Sequence, residues 1–223
     1  MLEQVLRQDL KLKAPRPMAV LNPLKVTITN YPEGKTELVS GEWNQESEEM
    51  GSREIPFSKH LFIEKEDFLE EKPNKKWKRL SKGLEVRLRH AYFIKCEEVI
   101  RDEAGEVVEL LCTYDVETKS GSGFKDRKPN GTIHWVDAVS IPAEFRLYDV
   151  LLVDGDEDFV DRLNPDSLKV MNGFVENTLE NVKYLDKFQF IRNGFYSVDS
   201  DTDTKNGKFV FNLIVPLKSS FRK

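Results

Sequence analysis

A basic stretch between residues 72 and 89 carries the side chains whose chemistry is easiest to interpret. Eight cations stand there against a single acid, Glu85, which gives the stretch a local net charge of +7. They are Lys72, Lys75, Lys76, Lys78, Arg79, Lys82, Arg87 and Arg89. One aromatic ring, Trp77, lies inside the run. Guanidinium forks, ammonium groups and a ring together suit phosphates and unstacked nucleobases.

Two arginines at the end of this stretch alternate with two apolar residues. The order is Val86, Arg87, Leu88, Arg89, so apolar and basic residues alternate. Because successive side chains of a strand point to opposite faces, the pattern predicts a strand with both guanidinium groups on one face. A solvated lysine-rich loop leading into an ordinary strand is slightly favoured on composition alone. An acidic block at 64–71, which can partly neutralise the basic run, also weakens a nucleic-acid interpretation.

A second pair of recognition side chains lies near the C-terminus. Gln189 and Arg192 precede an Asn193-Gly194 dipeptide, which is a hairpin signal. Gln and Arg present donors and acceptors in fork geometry, and unstacked bases can be bonded on their Watson–Crick edges. Considered alone, these two residues are more simply the surface residues of a hairpin.

No spacing in the chain is typical of catalysis or metal binding. The three histidines, His60, His90 and His134, lie in separate predicted strands. No Cys/His spacing resembles a zinc site, and no phosphate-binding or dinucleotide fingerprint occurs. We therefore predict no catalytic residue and no metal site on this chain. A free-standing hydrolase is the least favoured class, for want of a nucleophile–base pair.

Composition is that of a globular protein with one basic region on an acidic body. The 223 residues include 34 basic and 39 acidic side chains, for a net charge of −5. No apolar run approaches the roughly 18 residues of a membrane span, and the N-terminus does not resemble a signal peptide. Cys96 and Cys112 lack CxxC spacing, so we expect buried, reduced thiols and a cytoplasmic location.

Short apolar segments separated by turn signals predict an all-β fold of the sandwich or barrel class. A short helix is expected at 2–12, with Leu2, Val5, Leu6 and Leu10 on one stripe, and prolines stop it. Loops are expected at 41–54 and 119–131. Strands are expected at 24–30, 57–63, 85–100, 107–115, 132–136, 139–152 with a break at Pro142, 168–174, 187–192, 195–198 and 208–217.

Ordered sequence blocks along nearly the whole chain resemble the C-terminal anticodon-binding region of glutaminyl-tRNA synthetase. The blocks begin with Ala14-Pro-Arg-Pro-Met-Ala-Val, Asn22-Pro-Leu-Lys-Val, Met50-Gly-Ser-Arg-Glu-Ile-Pro-Phe, Lys78-Arg-Leu and Gly83-Leu-Glu-Val-Arg-Leu-Arg-His-Ala-Tyr-Phe-Ile-Lys95. They continue with Cys112-Thr-Tyr-Asp, Gly131-Thr-Ile-His-Trp-Val, Arg146-Leu-Tyr-Asp, Asn164-Pro-Asp-Ser-Leu and Phe188-Gln-Phe-Ile-Arg-Asn-Gly-Phe-Tyr. Any one block alone is a weak signal, but their shared order is strong.

The resemblance implies two β-barrels, with a distal barrel inserted into a near one. Residues 14–25 plus 140–223 would form the near (proximal) barrel and residues 26–139 the distal barrel. Residues 1–13 would be the end of a preceding helical region. The near barrel would then bring its two distant chain segments together.

The resemblance also implies pockets for the three splayed bases of a glutamine anticodon. Arg16, Gln189 and Arg192 match contacts to the central uridine. Lys78 and Arg79 match residues near the third base, and Arg87 and Arg89 match the arginines around the first base and its phosphate. Lys72, Lys75 and Lys82 would hold phosphates. The expected partners are a tRNA for glutamine, bound through its anticodon loop, and the catalytic half of the same synthetase.

The chain departs from the family pattern at two kinds of position. Lys76 stands where glutamine is expected and favours phosphate over base-edge contact, whereas Trp77 replaces a tyrosine and keeps a stacking surface. Neither the His-Ile-Gly-His-type nor the Lys-Met-Ser-Lys-Ser-type signature occurs. We therefore expect no cofactor on this chain, with ATP and Mg²⁺ used by the parent class I enzyme, and we expect a monomer without membrane contact.

Two alternatives remain open from the sequence. The first is the equivalent region of a glutamate–tRNA ligase, although the block from Phe188 to Asp199 is closer to the glutamine branch. The second is a β-barrel interaction module whose basic loop binds an acidic partner. Binding that depends on anticodon sequence would separate the synthetase region from the interaction module.

Overall fold

The fold is built almost entirely from β-strands in the computed structural model, which describes residues 2–218. One α-helix, α1 (Leu2–Lys13), precedes fifteen strands within this range. The strands are β1 (Ala19–Val20), β2 (Pro23–Ile28), β3 (Glu37–Glu42), β4 (Ser52–Phe57), β5 (His60–Glu64), β6 (Glu85–Leu88), β7 (Phe93–Arg101), β8 (Val107–Asp115), β9 (Thr132–Ile133), β10 (Val136–Asp137), β11 (Ile141–Tyr148), β12 (Leu168–Val175), β13 (Lys187–Phe190), β14 (Gly194–Val198) and β15 (Val210–Pro216). The predicted all-β class is confirmed.

Two large sheets and one hairpin contain these strands. The six-stranded sheet has the order β1-β12-β11-β15-β14-β13, and the seven-stranded sheet has the order β10-β5-β2-β8-β7-β6-β9. The β3–β4 hairpin forms the third, two-stranded sheet. Each large sheet covers its own cluster of buried apolar side chains. The prediction of two barrel-like β units agrees with this arrangement.

Helix α1 packs on the six-stranded sheet with part of its predicted apolar stripe. Leu6 and Leu10 contact Phe195 and Val215. Leu2 and Val5 belonged to the same predicted stripe, but they are 74% and 56% exposed. The prediction was therefore too wide, because the face of the helix that the sheet covers carries Glu3, Leu6, Arg7 and Leu10, and Leu2 and Val5 lie outside that face. In residues 2–218 no helix combines the length and the apolar character that a membrane span requires.

The hairpin of β7 and β8 forms around the turn that the sequence predicts. Asp102 Oδ1 accepts hydrogen bonds from the backbone N–H of Ala104 (3.0 Å) and Glu106 (2.9 Å). Gly105 has φ of +80°, a conformation that costs glycine little. Cys96 and Cys112 lie opposite each other in this hairpin, and both are free and fully buried, as predicted.

The predicted loop at 41–54 is wrong at both ends. β3 continues to Glu42 and β4 starts at Ser52, so the loop is confined to residues 43–51 and contains a 3₁₀ segment (Glu48–Met50). The strands escaped prediction because polar and small residues occupy their inward positions: Gly41 packs against His90, and Arg53 is buried. An apolar periodicity is therefore absent from this part of the sequence.

Further strand boundaries differ from the prediction. The single strand expected at 85–100 turns back after Leu88 to give the antiparallel pair β6 and β7, and the strand expected at 132–136 divides into β9 and β10. The expected strand at 57–63 divides into the end of β4 and the start of β5. Pro142 does not break its segment but lies within β11. β15 pairs with β11 only between Glu144 and Arg146, so the proline lies beyond the part of that ladder that needs its N–H.

The junction between the two large sheets lies at Leu21 and Asn22, between β1 and β2. The Glu64 carboxylate accepts hydrogen bonds from the backbone N–H of both residues, at 3.0 and 2.9 Å. Phe62 stacks on Phe174 across the same junction with a centroid distance of 4.5 Å. This junction fixes how the segments that carry the candidate RNA-binding residues lie against each other.

Candidate nucleic-acid interface

The basic stretch contains an exposed turn around residues 76–79, and Asn130 and Gly131 hold its backbone in place. Lys76 and Lys78 are exposed. The Asn130 amide donates to the backbone carbonyls of Trp77 (3.1 Å) and Arg79 (2.7 Å). At Gly131 a Cβ atom would lie 1.9 Å from the Lys78 carbonyl oxygen, so only glycine allows this approach. The Asn130-Gly131 pair therefore holds the turn, a role that sequence reasoning missed.

Acidic neighbours neutralise the arginine of this turn rather than its lysines. Arg79 Nη1 donates to the Glu66 carbonyl at 2.7 Å, and its Nε lies 3.3 Å from Asp67 Oδ1. Lys72 Nζ contacts the amide oxygen of Asn130 at 2.7 Å. Within residues 2–218, none of the five lysines of the basic stretch (Lys72, Lys75, Lys76, Lys78 and Lys82) forms an ion pair. The acidic block at 64–71 therefore neutralises only part of the positive charge of the basic stretch, and the objection to a nucleic-acid surface is weakened.

Trp77 contributes a partly covered ring to the turn. The residue is half-buried, and its Nε1 donates to the Leu80 carbonyl at 3.3 Å. The Arg79 guanidinium carbon lies 5.5 Å from the ring centroid. The indole is thus held in place with a cation beside it, an arrangement that suits base stacking.

Arg87 and Arg89 follow the predicted alternation but reach different surroundings. Val86 and Leu88 are fully buried, as predicted, while the two arginines are half-buried. Arg87 Nη1 donates to the Thr118 carbonyl (2.9 Å), and its guanidinium carbon lies 4.3 Å from the Phe93 ring centroid. Arg87 is therefore tied to the loop that follows β8.

Arg89 lies among other charged groups near the β3–β4 hairpin. Its Nε is buried without a hydrogen-bond partner in the part of the chain that the structure describes. Burial lowers the pKa of Arg89, and the nearby cations Arg53 and Arg16 act in the same direction, against Glu42. Arg89 consequently carries unused donor capacity beside two other arginines and the carboxylates of Glu42 and Glu176.

Arg16 and Gln189 are brought together by backbone hydrogen bonds. The N–H of Gln189 donates to the Pro15 carbonyl at 2.9 Å, and the N–H of Ile191 donates to the Pro17 carbonyl at 3.3 Å. These bonds bracket Arg16 and align it with Gln189. Two segments from opposite parts of the sequence therefore form one surface.

Internal partners hold only part of the Arg16 guanidinium. Its Nη2 donates to the Lys11 carbonyl at the end of α1 (2.9 Å) and to Glu46 Oε1 (3.0 Å). Arg16 Nε and Gln189 Oε1 are buried without a partner among the described residues. Sequence reasoning did not identify Glu46, which lies in the segment expected to be an unstructured loop.

Arg192 shares the Asp67 carboxylate with Arg79 and does not join Arg16 and Gln189. Within residues 2–218 it forms no hydrogen bond with either of those two residues. Instead Arg192 Nη1 and Nη2 donate to the two oxygens of Asp67, at 2.5 and 2.6 Å. The residue has φ of +68°, an uncommon value outside glycine, and its side chain is 33% exposed.

A polar cavity of about 270 Å³ adjoins Arg192. Its polar lining comes from Asn22, Glu64, Glu66, Asp67, Arg79, His134, Arg192 and Asn193. Although burial acts to raise the pKa of Glu64, hydrogen bonds from His134 and from the N–H groups of Asn22 and Leu21 hold that pKa below its usual value. The cavity thus combines carboxylates with guanidinium donors. Within residues 2–218, no group of His, Cys, Asp and Glu side chains has the arrangement of a metal site.

Comparison with known proteins identifies two matching family models. Residues 14–115 match a domain described as tRNA synthetases class I (E and Q), anti-codon binding domain. Residues 132–199 match a second domain with the same description. The two segments together span most of the chain and contain every predicted RNA-binding residue.

Several curated relatives align with the whole chain. A glutamine–tRNA ligase from Clostridium perfringens is 53% identical over 228 residues, and one from Clostridioides difficile is 54% identical over 229 residues. A glutamine–tRNA ligase from Rhodopirellula baltica is 48% identical over 230 residues. All of this chain is covered in each case, but only 41%, 41% and 38% of the respective relatives. The resemblance inferred from the sequence blocks is therefore confirmed. The chain belongs to the family of anticodon-binding domains of the class I tRNA synthetases for glutamate (E) and glutamine (Q).

Proposed function

We propose that this chain binds the anticodon loop of a tRNA for glutamine, as the anticodon-binding part of a glutamine–tRNA ligase. One observation carries the proposal: among the seven side chains that bury an unpaired polar atom within residues 2–218, three are Arg16, Arg89 and Gln189, which the resemblance assigns to base contacts. Buried polar groups are seldom left unpaired, because an unmade hydrogen bond costs about 1–3 kcal/mol. A nucleobase edge supplies the donors and acceptors that would complete all three groups.

The proposed contacts divide into base reading and phosphate binding. Arg16, Gln189 and Arg192 would read the central base, Lys78 and Arg79 the third base, and Arg87 and Arg89 the first base and its phosphate. Lys76 and Trp77 would add a phosphate contact and a stacking surface, and Lys72, Lys75 and Lys82 would hold further phosphates. Their support is the exposure of the lysines, which form no ion pair within residues 2–218, and the anchored geometry of the arginines.

The proposed division into barrels keeps a near barrel of 14–25 plus 140–223 and a distal barrel of 26–139. Sheet membership supports the division in outline, although residues 23–25 belong to β2 of the seven-stranded sheet and the change of sheet falls at 21–22. The six-stranded sheet takes its strands from 19–20 and 141–216, whereas the seven-stranded sheet takes its strands from 23–137. The distal unit would then be an insertion between two parts of the near unit.

The rest of the proposed function concerns a parent enzyme longer than this chain. The curated relatives, of which the chain spans about two fifths, carry the name glutamine–tRNA ligase. We infer that a catalytic half uses ATP and Mg²⁺ to activate the amino acid, and that this chain contributes tRNA binding but no cofactor. The proposed setting is the cytoplasm, with the chain acting as a monomer.

Binding of this chain to tRNA transcripts tests the proposal. One transcript carries the glutamine anticodon, a second has the central base replaced, and a third is a glutamate tRNA. Low salt is required because phosphate contacts weaken steeply as salt rises. A marked preference for the first transcript is expected. Preference for the glutamate tRNA would instead assign the chain to the other branch of the family, and equal binding of all three would leave only a basic interaction surface.

A further inference from the structure

Asp67 is a buried carboxylate that holds Arg192 through two hydrogen bonds. Its side chain is 1% exposed, in the 3₁₀ segment Lys65–Asp67 that follows β5. Oδ2 accepts from Arg192 Nη1 at 2.5 Å and Oδ1 accepts from Nη2 at 2.6 Å. A carboxylate and a guanidinium paired in this way have a defined relative orientation. Arg192, between β13 and β14 of the six-stranded sheet, is therefore fixed by a residue that follows β5 of the seven-stranded sheet.

The same carboxylate also orients Arg79. Asp67 Oδ1 lies 3.3 Å from Arg79 Nε, and the carbonyl of Glu66 accepts from Arg79 Nη1 at 2.7 Å. The Asp67 carbonyl accepts from the N–H of Leu80 at 2.9 Å. Side chain and backbone at Asp67 thus hold both the arginine and the end of the basic turn.

These bonds leave donor edges of both arginines unused. On Arg192, Asp67 occupies the edge formed by Nη1 and Nη2, and His134 Nδ1 faces the remaining Nη1 donor at 3.5 Å. The Nε edge of Arg192 has no protein partner within residues 2–218. On Arg79, Nη2 is likewise unpaired in that range. Each guanidinium can therefore contact a base without releasing Asp67.

One negative charge between two guanidinium groups makes their positions interdependent. With the carboxylate present, the three groups carry a net charge of +1. Without it, Arg79 and Arg192 would repel each other in a partly buried setting, where like charges are costly. Displacing either arginine changes the electrostatic environment of the other, and this is the physical origin of an energetic coupling.

We propose that Asp67 is a positioning residue that couples Arg192 to Arg79, so that the chain reads the central and the third anticodon bases as one unit. The inference rests on the proposed function, since it assigns those bases to these arginines. Recognition would then be cooperative: a mismatch at either base weakens the contact at the other. Asp67 itself touches no base in this arrangement.

A double-mutant cycle on the full 223-residue chain tests the coupling. Arg79→Ala, Arg192→Ala and the double variant are titrated with the glutamine transcript. The combined loss in affinity is expected to be smaller than the product of the two single losses by about threefold or more, the range measured for directly interacting residues. In the Asp67→Asn background the combined loss should no longer fall below the product of the single losses, and it should exceed that product where the two arginines repel each other. Losses that multiply in the unchanged chain would overturn the proposal even if Asp67→Asn failed to fold.

Base-substituted transcripts provide the second readout. Asp67→Asn should reduce discrimination at the central and third bases together while leaving discrimination at the first base unchanged. Glu144→Gln is the matched control, because Glu144 also holds an arginine (Arg146 Nε, 2.6 Å) but in the six-stranded sheet. An effect of Asp67→Asn on one base only, or on all three equally, contradicts the coupling. If the unchanged chain shows no base preference at all, the proposed function itself fails and takes this inference with it.

Discussion

Arg53 and Glu176 form an ion pair in the protein interior, with Nε–Oε2 and Nη2–Oε1 distances of 2.6 Å. Their side chains are 3% and 1% exposed. Glu176 also accepts from the N–H of Met18 at 2.7 Å, and Trp43 stacks on the guanidinium at 4.7 Å. The pair joins the β3–β4 hairpin to the end of β12 and to the segment that precedes β1.

Replacing one member of this pair should strongly destabilise the fold. Arg53→Ala is expected to lower the free energy of unfolding by about 3–5 kcal/mol, because it leaves Glu176 buried and unpaired. Urea unfolding followed by circular dichroism measures the change. Lys65→Ala, which removes an ion pair to Glu106 with exposed partners, is the control and should cost less than about 1 kcal/mol. Similar losses for both variants would show that the Arg53 pair has no special weight.

Arg192→Ala should weaken tRNA binding mainly when the central anticodon base is uridine. The expected loss is about 1–3 kcal/mol, by analogy with bidentate base contacts. Titration of matched transcripts with the native and the replaced central base gives the comparison. An equal loss of affinity on both transcripts would show that Arg192 does not recognise the central base.

Lys75→Ala should weaken all RNAs alike. Lys75 is exposed and forms no ion pair within residues 2–218, so its proposed contact is to phosphate. The plot of log affinity against log salt should flatten by about one unit of slope, as expected for one lost phosphate contact. An unchanged slope would indicate that Lys75 is only solvated surface.

Gly131→Ala should disturb the basic turn through a backbone collision. The new Cβ would lie 1.9 Å from the Lys78 carbonyl oxygen, so the turn must shift. We expect a loss of about 1–3 kcal/mol in stability, as for overpacked sites, together with weaker RNA binding. Gly155→Ala is the matched control, because its Cβ would meet only the flexible side chain of Glu157. Unchanged RNA affinity in Gly131→Ala would show that RNA binding does not depend on the conformation of the basic turn.

His90 should make stability depend on pH below neutrality. Burial lowers its pKa to about 4, assisted by Arg89 and Arg53 and opposed by Glu42 and Glu176. Since this pKa lies below the ordinary value of about 6.5, the unfolded chain binds the proton more readily between these limits. With His90 neutral, above about pH 6.5, the free energy of unfolding is at its full value. It falls progressively as the pH drops towards 4, because the buried imidazole must then take up a proton.

The variant His90→Asn isolates this contribution, because Asn tolerates the positive φ of 64°. Relative to the variant, the unchanged chain should lose about 1–2 kcal/mol between pH 7 and pH 4, after allowance for solvent screening of a partly exposed group. Urea unfolding of both proteins across this range gives the difference. Parallel stability profiles would contradict a depressed His90 pKa.

Local sequence patterns were sufficient for the helix, for most of the strands and for the position of the basic turn. The Asp102–Gly105 turn and the Val86/Leu88 alternation have strong short-range signals, and the structure contains both. The β3–β4 hairpin has no such signal, because Arg53 occupies an inward position where a core strand normally has an apolar residue. The ion pair with Glu176 satisfies that arginine, and the partner lies more than a hundred residues away in sequence.

The sequence by itself determined the fold class, the family and the types of side chain available for binding RNA. Only the tertiary structure decided which of these side chains act together. It aligned Arg16 with Gln189 through backbone hydrogen bonds, and it joined Arg192 to Arg79 through Asp67, a residue without any distinguishing sequence pattern. Strand and turn preferences depend on near neighbours, whereas the partners of a guanidinium group depend on how sheets from distant parts of the chain pack together.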